Sequence, residues 1–331
     1  MIRRALIDDG EKILSFINLE WKQDHYFFKN SEFFYYFYSF KSSDYLNFYI
    51  SEDKNKLING ILGFIDYSNA KEKDSNIAIA MWKVQKTDDP TLGIKLFEFL
   101  RSDLKISNLF CLGINKETHI IYKYLGFKVD KLSRFFMVNQ KKTNFKILNN
   151  NQIHREKLQT TIQNQLKYSD CKDISEEFYV QTAKLNEINY KSYEYFKHRY
   201  LLHPVYDYNV YKLEVSAKEK AILVTRNISY NKSNMIRIVD FIGDEICIKK
   251  SKFFFHELLQ EKKAEYVEFV HFGLNVSSLI EAGFQKLDKE KIIMPHYFNP
   301  FINKNLDIYF FSSETQKLKL FLGDGDQDRP N

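Results

Sequence analysis

The run Leu109-Phe-Cys-Leu-Gly-Ile114 passes directly into Asn115-Lys-Glu-Thr118-His-Ile-Ile-Tyr122-Lys-Tyr-Leu-Gly126-Phe127. Its first six residues are an apolar run of strand length. Glu117 to Leu125 then reads as a helix, and Gly126 suits the left-handed position that ends one. Strand material resumes from Phe127 to Val138. Asn115 and Tyr122 are seven residues apart, close to two helical turns, so the strand-end amide and the phenol can face one cleft.

Upstream, Leu92, Leu96, Leu100 and Leu104, with Phe97 beside them, form a four-residue stripe that predicts a helix with one buried face. Asp89 reads as its N-cap and Pro90 as its first helical residue. The exposed amides of such a first turn suit a phosphate. Asp88 and Asp89 oppose an anion there unless Lys86 or Lys95 offsets them, and a plain capped helix is the other reading. Earlier still come a strand at Ile2 to Leu6, then Asp8 and Asp9 and an amphipathic helix with Ile13, Leu14, Ile17, Leu19 and Trp21, an aromatic connection, and strands at Leu46 to Ser51, Gly60 to Tyr67 and Asn76 to Val84. This order predicts a sheet covered by helices, parallel where a helix crosses between neighbouring strands.

Downstream, the hydrophilic stretch Asn139 to Lys157 reads as a linker. Helices at Thr160 to Tyr168 and Glu176 to Leu185 follow. Strands at Tyr208 to Val215, Ala221 to Ile228 and Met235 to Ile242, a helix at Phe253 to Lys262, a strand at Tyr266 to Phe272 and a helix at Val276 to Ala282 repeat the earlier order. Gly283-Phe284 closes this set as Gly126-Phe127 closes the first, which reads as a divergent duplication with halves 1–145 and 146–331. Aligning the two glycines sets Phe272 opposite Asn115, Leu279 opposite Tyr122 and Lys250 opposite Gly93. The strand-end amide, the phenol and the helix-start glycine are thus expected in the first half only, and the second half is expected to contribute acceptor binding or shape.

A length of 331 residues fits two cores. With 44% hydrophobic and 28% charged residues the chain is of ordinary globular type. Lys and Glu are interspersed without a long basic block, so a net charge of +6 argues for a phosphate-bearing small ligand rather than nucleic acid. Cys111, Cys171 and Cys247 form no CxxC pair and read as reduced thiols. No stretch approaches the roughly 20 apolar residues of a membrane span, and no signal core opens the chain, so a cytoplasmic protein is expected. Cys/His metal spacing and Gly-x-Ser-x-Gly are both missing, which argues against metal and serine-hydrolase chemistry.

The spacing of Asn115, Thr118, Tyr122 and Gly126-Phe127 resembles the GNAT N-acetyltransferase superfamily, with Thr118 where alanine is usual. The resemblance implies an α/β (α+β) fold of two tandem GNAT-like domains, each a mixed, mostly antiparallel twisted sheet flanked by helices. It implies acetyl-CoA as co-substrate of the first half. Asn115 and Thr118 would hold the pantetheine arm and Tyr122 would protonate the leaving thiolate. Trp82 and Val84 on the preceding strand, with Thr91, Leu92, Gly93 and Ile94, would line the rest. Of the family's Arg/Gln-x-x-Gly-x-Gly/Ala loop only Gly93 remains. The residues alone also allow Tyr122 as a helix-face aromatic.

Asp24, His25 and Asp240 are the candidate bases. His203, His296, Asn299, Asp326 and Arg329 are candidate acceptor contacts; His25 and His203 also read as structural histidines, and the segment from Gly323 reads either as a floppy acidic tail or, by preference, as a bound turn that grips sugar hydroxyls or an ammonium. That ending is similar to the ends of GNAT-like proteins of surface-polysaccharide clusters. The expected acceptor is therefore the primary amine of a nucleotide-linked amino sugar in lipopolysaccharide (O-antigen) or capsule synthesis. Two other readings stay open: a Fem-like aminoacyltransferase, which predicts a basic groove or coiled-coil arm, and a non-catalytic duplicated scaffold.

Overall fold

Burial of alternate apolar residues on paired strands, with amphipathic helices laid across both faces, builds two mostly antiparallel sheets. The computed structural model describes residues 1–330 except 41, 43, 69–74, 87, 88, 151–165, 172 and 184–187. Strands β1 (Ile2–Leu6), β2 (Tyr45–Glu52), β3 (Ile58–Asp66), β4 (Ser75–Val84), β5 (Ile106–Ile114) and β6 (Lys128–Lys131) belong to the first sheet, and β7 (Ser133–Val138) to the second. Later strands are β8 (Asn149–Asn150), β9 (Lys167–Asp170), β10 (Asn209–Glu214), β11 (Lys220–Tyr230), β12 (Ser233–Gly243), β13 (Ala264–Phe272), β14 (Gln285–Lys286), β15 (Ile292–Ile293), β16 (Tyr309–Ser312) and β17 (Leu320–Phe321).

The first sheet runs β1-β2-β3-β4-β5-β16-β6 and the second β14-β7-β13-β12-β11-β10-β9, with β17 on β13. Each has one parallel pair, β4 with β5 and β12 with β13, and each of those pairs brackets a helical crossover. Helix α4 (Leu92–Asp103) carries the predicted stripe, burying Leu96, Phe97 and Leu100 against Leu62, Phe64, Ile77 and Ile79. Each such side chain contributes about 1.5–3 kcal/mol. The helix Lys252–Glu261 does the same in the second half with Phe255, Leu258 and Leu259.

The halves exchange strands. Strand β7 follows β6 after one residue but pairs with β13 and β14, while β16, near the end of the chain, enters the first sheet between β5 and β6. Neither sheet is complete within residues 1–145 or 146–331 alone. Three sequence expectations are corrected. The aromatic connection contains α2 (Tyr26–Lys29) and α3 (Ser31–Tyr38); Ser-Glu-Phe-Phe-Tyr-Tyr-Phe-Tyr is too uniformly aromatic to show a helical period. Tyr168 lies in β9 rather than a helix, while 160–165 and Leu185 fall outside the described residues. The start of the supposed linker is anchored: Ile147 and Leu148 are buried, and the buried Glu265 carboxylate accepts the amides of Lys146, Ile147 and Leu148 at 2.6, 2.9 and 3.1 Å. Buried backbone donors require such partners. Among the described residues no helix is long and apolar enough to cross a membrane.

Candidate active site

Strands β4 and β5 pair from Ser75 and Ile106 only as far as Ile79 and Cys111. At that point Gly63 faces Met81 and Phe64 faces Ile79, so Ala80 is an extra, bulged residue. Beyond the bulge the strands part, leaving a cleft of about 310 Å³ lined by Ala80, Trp82, Leu112, Asn115, Thr118 and Tyr122, with Asp326 and Arg329 from the far end of the chain.

Helix α5 (His119–Tyr124) follows a single tight turn in which the Thr118 hydroxyl donates to the Asn115 carbonyl at 2.7 Å. Gly126 at φ +88° ends it as predicted. The Tyr122 ring packs 4.4 Å from Phe311 of β16 and 6.0 Å from Trp82, which stacks on Phe97 at 5.1 Å. Burial, then the neighbouring Cys111 sulfur, pushes its phenol up to about 12. Tyr122 therefore stays protonated at neutral pH.

At the start of α4 the cap position is Thr91, not Asp89. The Asp89 carboxylate accepts from the Thr91 amide at 3.0 Å and hydroxyl at 2.6 Å, and pairs with Lys95 at 2.7 Å. Lys95, then the Thr91 bonds, hold its carboxyl near 2. The charge that opposes an anion at this helix end is therefore offset; Asp88 lies outside the described residues. A Cβ on Gly93 would stand 3.5 Å from the Trp82 indole nitrogen, which sets this turn, with Thr91, Leu92 and Ile94, next to the Val84 end of β4.

The candidate bases do not converge on the cleft. Asp24 is exposed, 3.9 Å from Lys29. His25 is buried and caps α2, its Nδ1 accepting from the Phe27 amide, with Nε2 3.1 Å from Arg329. Burial, then Arg329 and Lys22, pushes His25 down to about 3, so the ring stays neutral. Asp240 is buried in the second half, where it accepts from Lys191 at 2.6 Å and Tyr200 at 2.7 Å. Of the acceptor candidates, His203 caps its own turn by accepting from Val205 and Tyr206. Asp326 and Arg329 reach the cleft as an ion pair at 2.8 Å. His296 and Asn299 line an adjoining hollow. Sequence reasoning missed Cys111, Tyr297 and Gln327 at the cleft; no spacing rule connects residues so far apart in the chain.

The second half repeats the bulge and the parting of strands. Val224 faces Asp240 and Thr225 faces Ile238, so Val239 is the extra residue on β12. Here the gap is filled by the chain's own tail. Phe321 pairs with His271, and the Gly323 amide donates to the Val239 carbonyl at 2.7 Å. A Cβ at Gly323 would meet the Tyr200 hydroxyl at 2.2 Å, so only glycine lets the tail lie this deep. The tail is thus a buried structural element rather than a floppy end.

No family model and no curated protein matches the sequence. Solved structures do match it. A GCN5-related N-acetyltransferase from Anabaena variabilis aligns at TM-score 0.55 and 10% identity over 94% of this chain and 72% of that one. Another from Kribbella flavida aligns at 0.54 and 8% over 94% and 70%. A conserved protein of unknown function from Enterococcus faecalis aligns at 0.56 and 9% over 94% and 72%. In fold, the chain is similar to GCN5-related N-acetyltransferases along nearly its whole length.

Proposed function

We propose that the protein transfers acetyl from acetyl-CoA, held in the first-half cleft, to a primary amine. One observation carries this reading: of two equivalent strand partings, the one bearing Asn115 and Tyr122 is open and the other is plugged by Leu320 to Asp324. The pantetheine arm runs between β4 and β5 beside Asn115 and Thr118, and the pyrophosphate lies at the Thr91-Leu92-Gly93-Ile94 turn. The bulge at Ala80 turns backbone amide toward the thioester carbonyl, where a donor stabilises the developing oxyanion. Asp326 is the one carboxylate among the described residues lining the cleft; it receives the acceptor ammonium's proton. The amine attacks the thioester carbon, the carbon–sulfur bond breaks, and the Tyr122 hydroxyl protonates the leaving sulfur. A nucleotide-linked amino sugar for surface polysaccharide is the acceptor we favour, and the positive charge beside the cleft supports an anionic one.

Isothermal titration with acetyl-CoA followed by thiol-release assays on a panel of amines tests the reading. Absence of acetyl-CoA binding overturns it. Tyr122→Phe, which keeps the ring packing against Phe311, is expected to lower kcat about 10²-fold with little change in acetyl-CoA affinity. Unchanged kcat would remove Tyr122 from the chemistry.

A further inference from the structure

Next to the cleft, sharing Tyr297, Gln327 and Arg329 with it, lies a second hollow of about 310 Å³. Arg226, Arg237 and His296, with Asp328 between the two arginines, form its inner wall and the exposed Asn299 its rim. The charges behind it do not balance. Arg134 and Arg237 share Glu268 at 3.0 and 2.6 Å. Arg226 and Arg237 share Asp328 at 2.5 and 3.6 Å, and Arg199 donates to the Asp328 backbone carbonyl at 2.7 Å. Four guanidinium groups thus surround two buried carboxylates, while Glu265, the other buried carboxylate on β13, is taken up by three backbone amides and the Ser233 hydroxyl. Arg329 is matched by Asp326. The adjacent Lys191 with Asp240 and Asp324 adds at most one negative charge, and burial pushes the Asp324 carboxyl up toward its neutral form.

His296 supplies a second observation. It is 1% exposed, lines the hollow, and neither of its ring nitrogens has a hydrogen-bond partner. Burying unmatched positive charge and unpaired polar atoms is costly, and an oxyanion seated between Arg226, Arg237 and His296 relieves both. Arg226 is further held flat over the Tyr206 ring at 4.0 Å, which orients its guanidinium.

We infer that this hollow is the acceptor subsite and that it binds an oxyanion, phosphate or carboxylate, carried by the amine substrate. The anionic end sits against Arg226 and His296. The amine reaches past Tyr297 and Arg329 into the cleft where Tyr122 lies. Selection for a charged acceptor is thereby built into the second half of the chain, while the first half holds the acyl donor.

The inference rests on the amine-acetylation reading for what enters the cleft, so its test separates the two. Protein saturated with acetyl-CoA is assayed on matched pairs: glucosamine against glucosamine 1-phosphate, and alanine amide against alanine. The charged member of at least one pair is expected to have a kcat/KM about tenfold or more above its neutral partner, and the pair that responds distinguishes phosphate from carboxylate. Arg226→Gln should erase most of that advantage while leaving the acetyl-CoA Kd as in the wild type. If Arg226→Gln does not fold once Asp328 loses its partner, Asn299→Asp at the exposed rim should lower turnover of the charged amine alone, severalfold at low salt. Equal turnover of charged and neutral members in the wild type overturns the inference. If no amine is turned over, the protein is titrated with inorganic pyrophosphate and with malonate. Binding that Arg226→Gln abolishes and Arg226→Lys retains supports the subsite, and no binding of either anion overturns it.

Discussion

Truncation after Lys319 is expected to yield no soluble, folded protein. The last residues include β17, which lies in the parting of β12 and β13, and they carry the counter-ions of the second half's buried cations. Removing Asp324 and Asp328 leaves Lys191, Arg226 and Arg237 facing fewer carboxylates in a water-poor interior. Breaking one buried ion pair typically costs about 3–5 kcal/mol, and a whole protein is stable by only about 5–15 kcal/mol. Loss of Leu320, Phe321 and Leu322, all buried, adds core area on top. The milder Asp328→Asn keeps the shape and isolates the charge; it should fold with a markedly lowered Tm. Expression and thermal melting of both variants check this, and a truncated chain that melts like the full one would refute the structural role given to the tail.

Acid should destabilise the protein steeply between pH 6.5 and 5, before most carboxylates titrate. His25, His271 and His296 are at most 3% exposed. Burial pushes His271 down to about 4 and, with Arg237 and Arg134, His296 well below its ordinary value, while His25 lies near 3. All three have folded pKa values below that of the unfolded imidazole, about 6.5. Above pH 6.5 both states are neutral and the full stability is present. Below it the unfolded chain gains protons that the folded chain refuses, so stability falls by about 1.4 kcal/mol per histidine per pH unit. For three groups that amounts to as much as about 6 kcal/mol by pH 5. Asp324 works the other way, since its raised carboxyl takes up a proton more readily in the folded state. Melting curves at pH 7.5 and 5.0 measure the net effect. Neither ring nitrogen of His271 has a partner, so His271→Phe forfeits no hydrogen bond and should reduce the pH slope by about a fifth, since burial also pushes His198 down to about 4 and His203 down to about 3. A slope that does not change would exclude His271 as a contributor.

The parts of the site that are local in sequence were legible. Asn115, Thr118, Tyr122 and Gly126 fall within one strand, one turn and one helix, whose periods and stop signal are written in consecutive residues. The stripe of α4 was equally plain, although its cap was misassigned, because Asp89 bonds to the Thr91 amide from outside the helix instead of capping it. The aromatic helix α3 was invisible because a residue that is apolar on every side leaves no period to read. Asp240 and His25 looked like bases because they carry the right groups, but burial and partners decide what those groups do.

By itself the sequence determined the order of strands and helices in the two α/β halves and set an amide and a phenol seven residues apart at the first strand–helix junction, since these follow from short-range periodicity and spacing; their roles came from the family resemblance. Only the tertiary structure decided that β7 and β16 change places between the sheets, that the tail seals one parting while the other stays open, and that arginines from β11 and β12 meet His296 beside the cleft. Those outcomes depend on contacts between residues about 50 or more positions apart, where register, burial and charge matching act and local propensity carries no information.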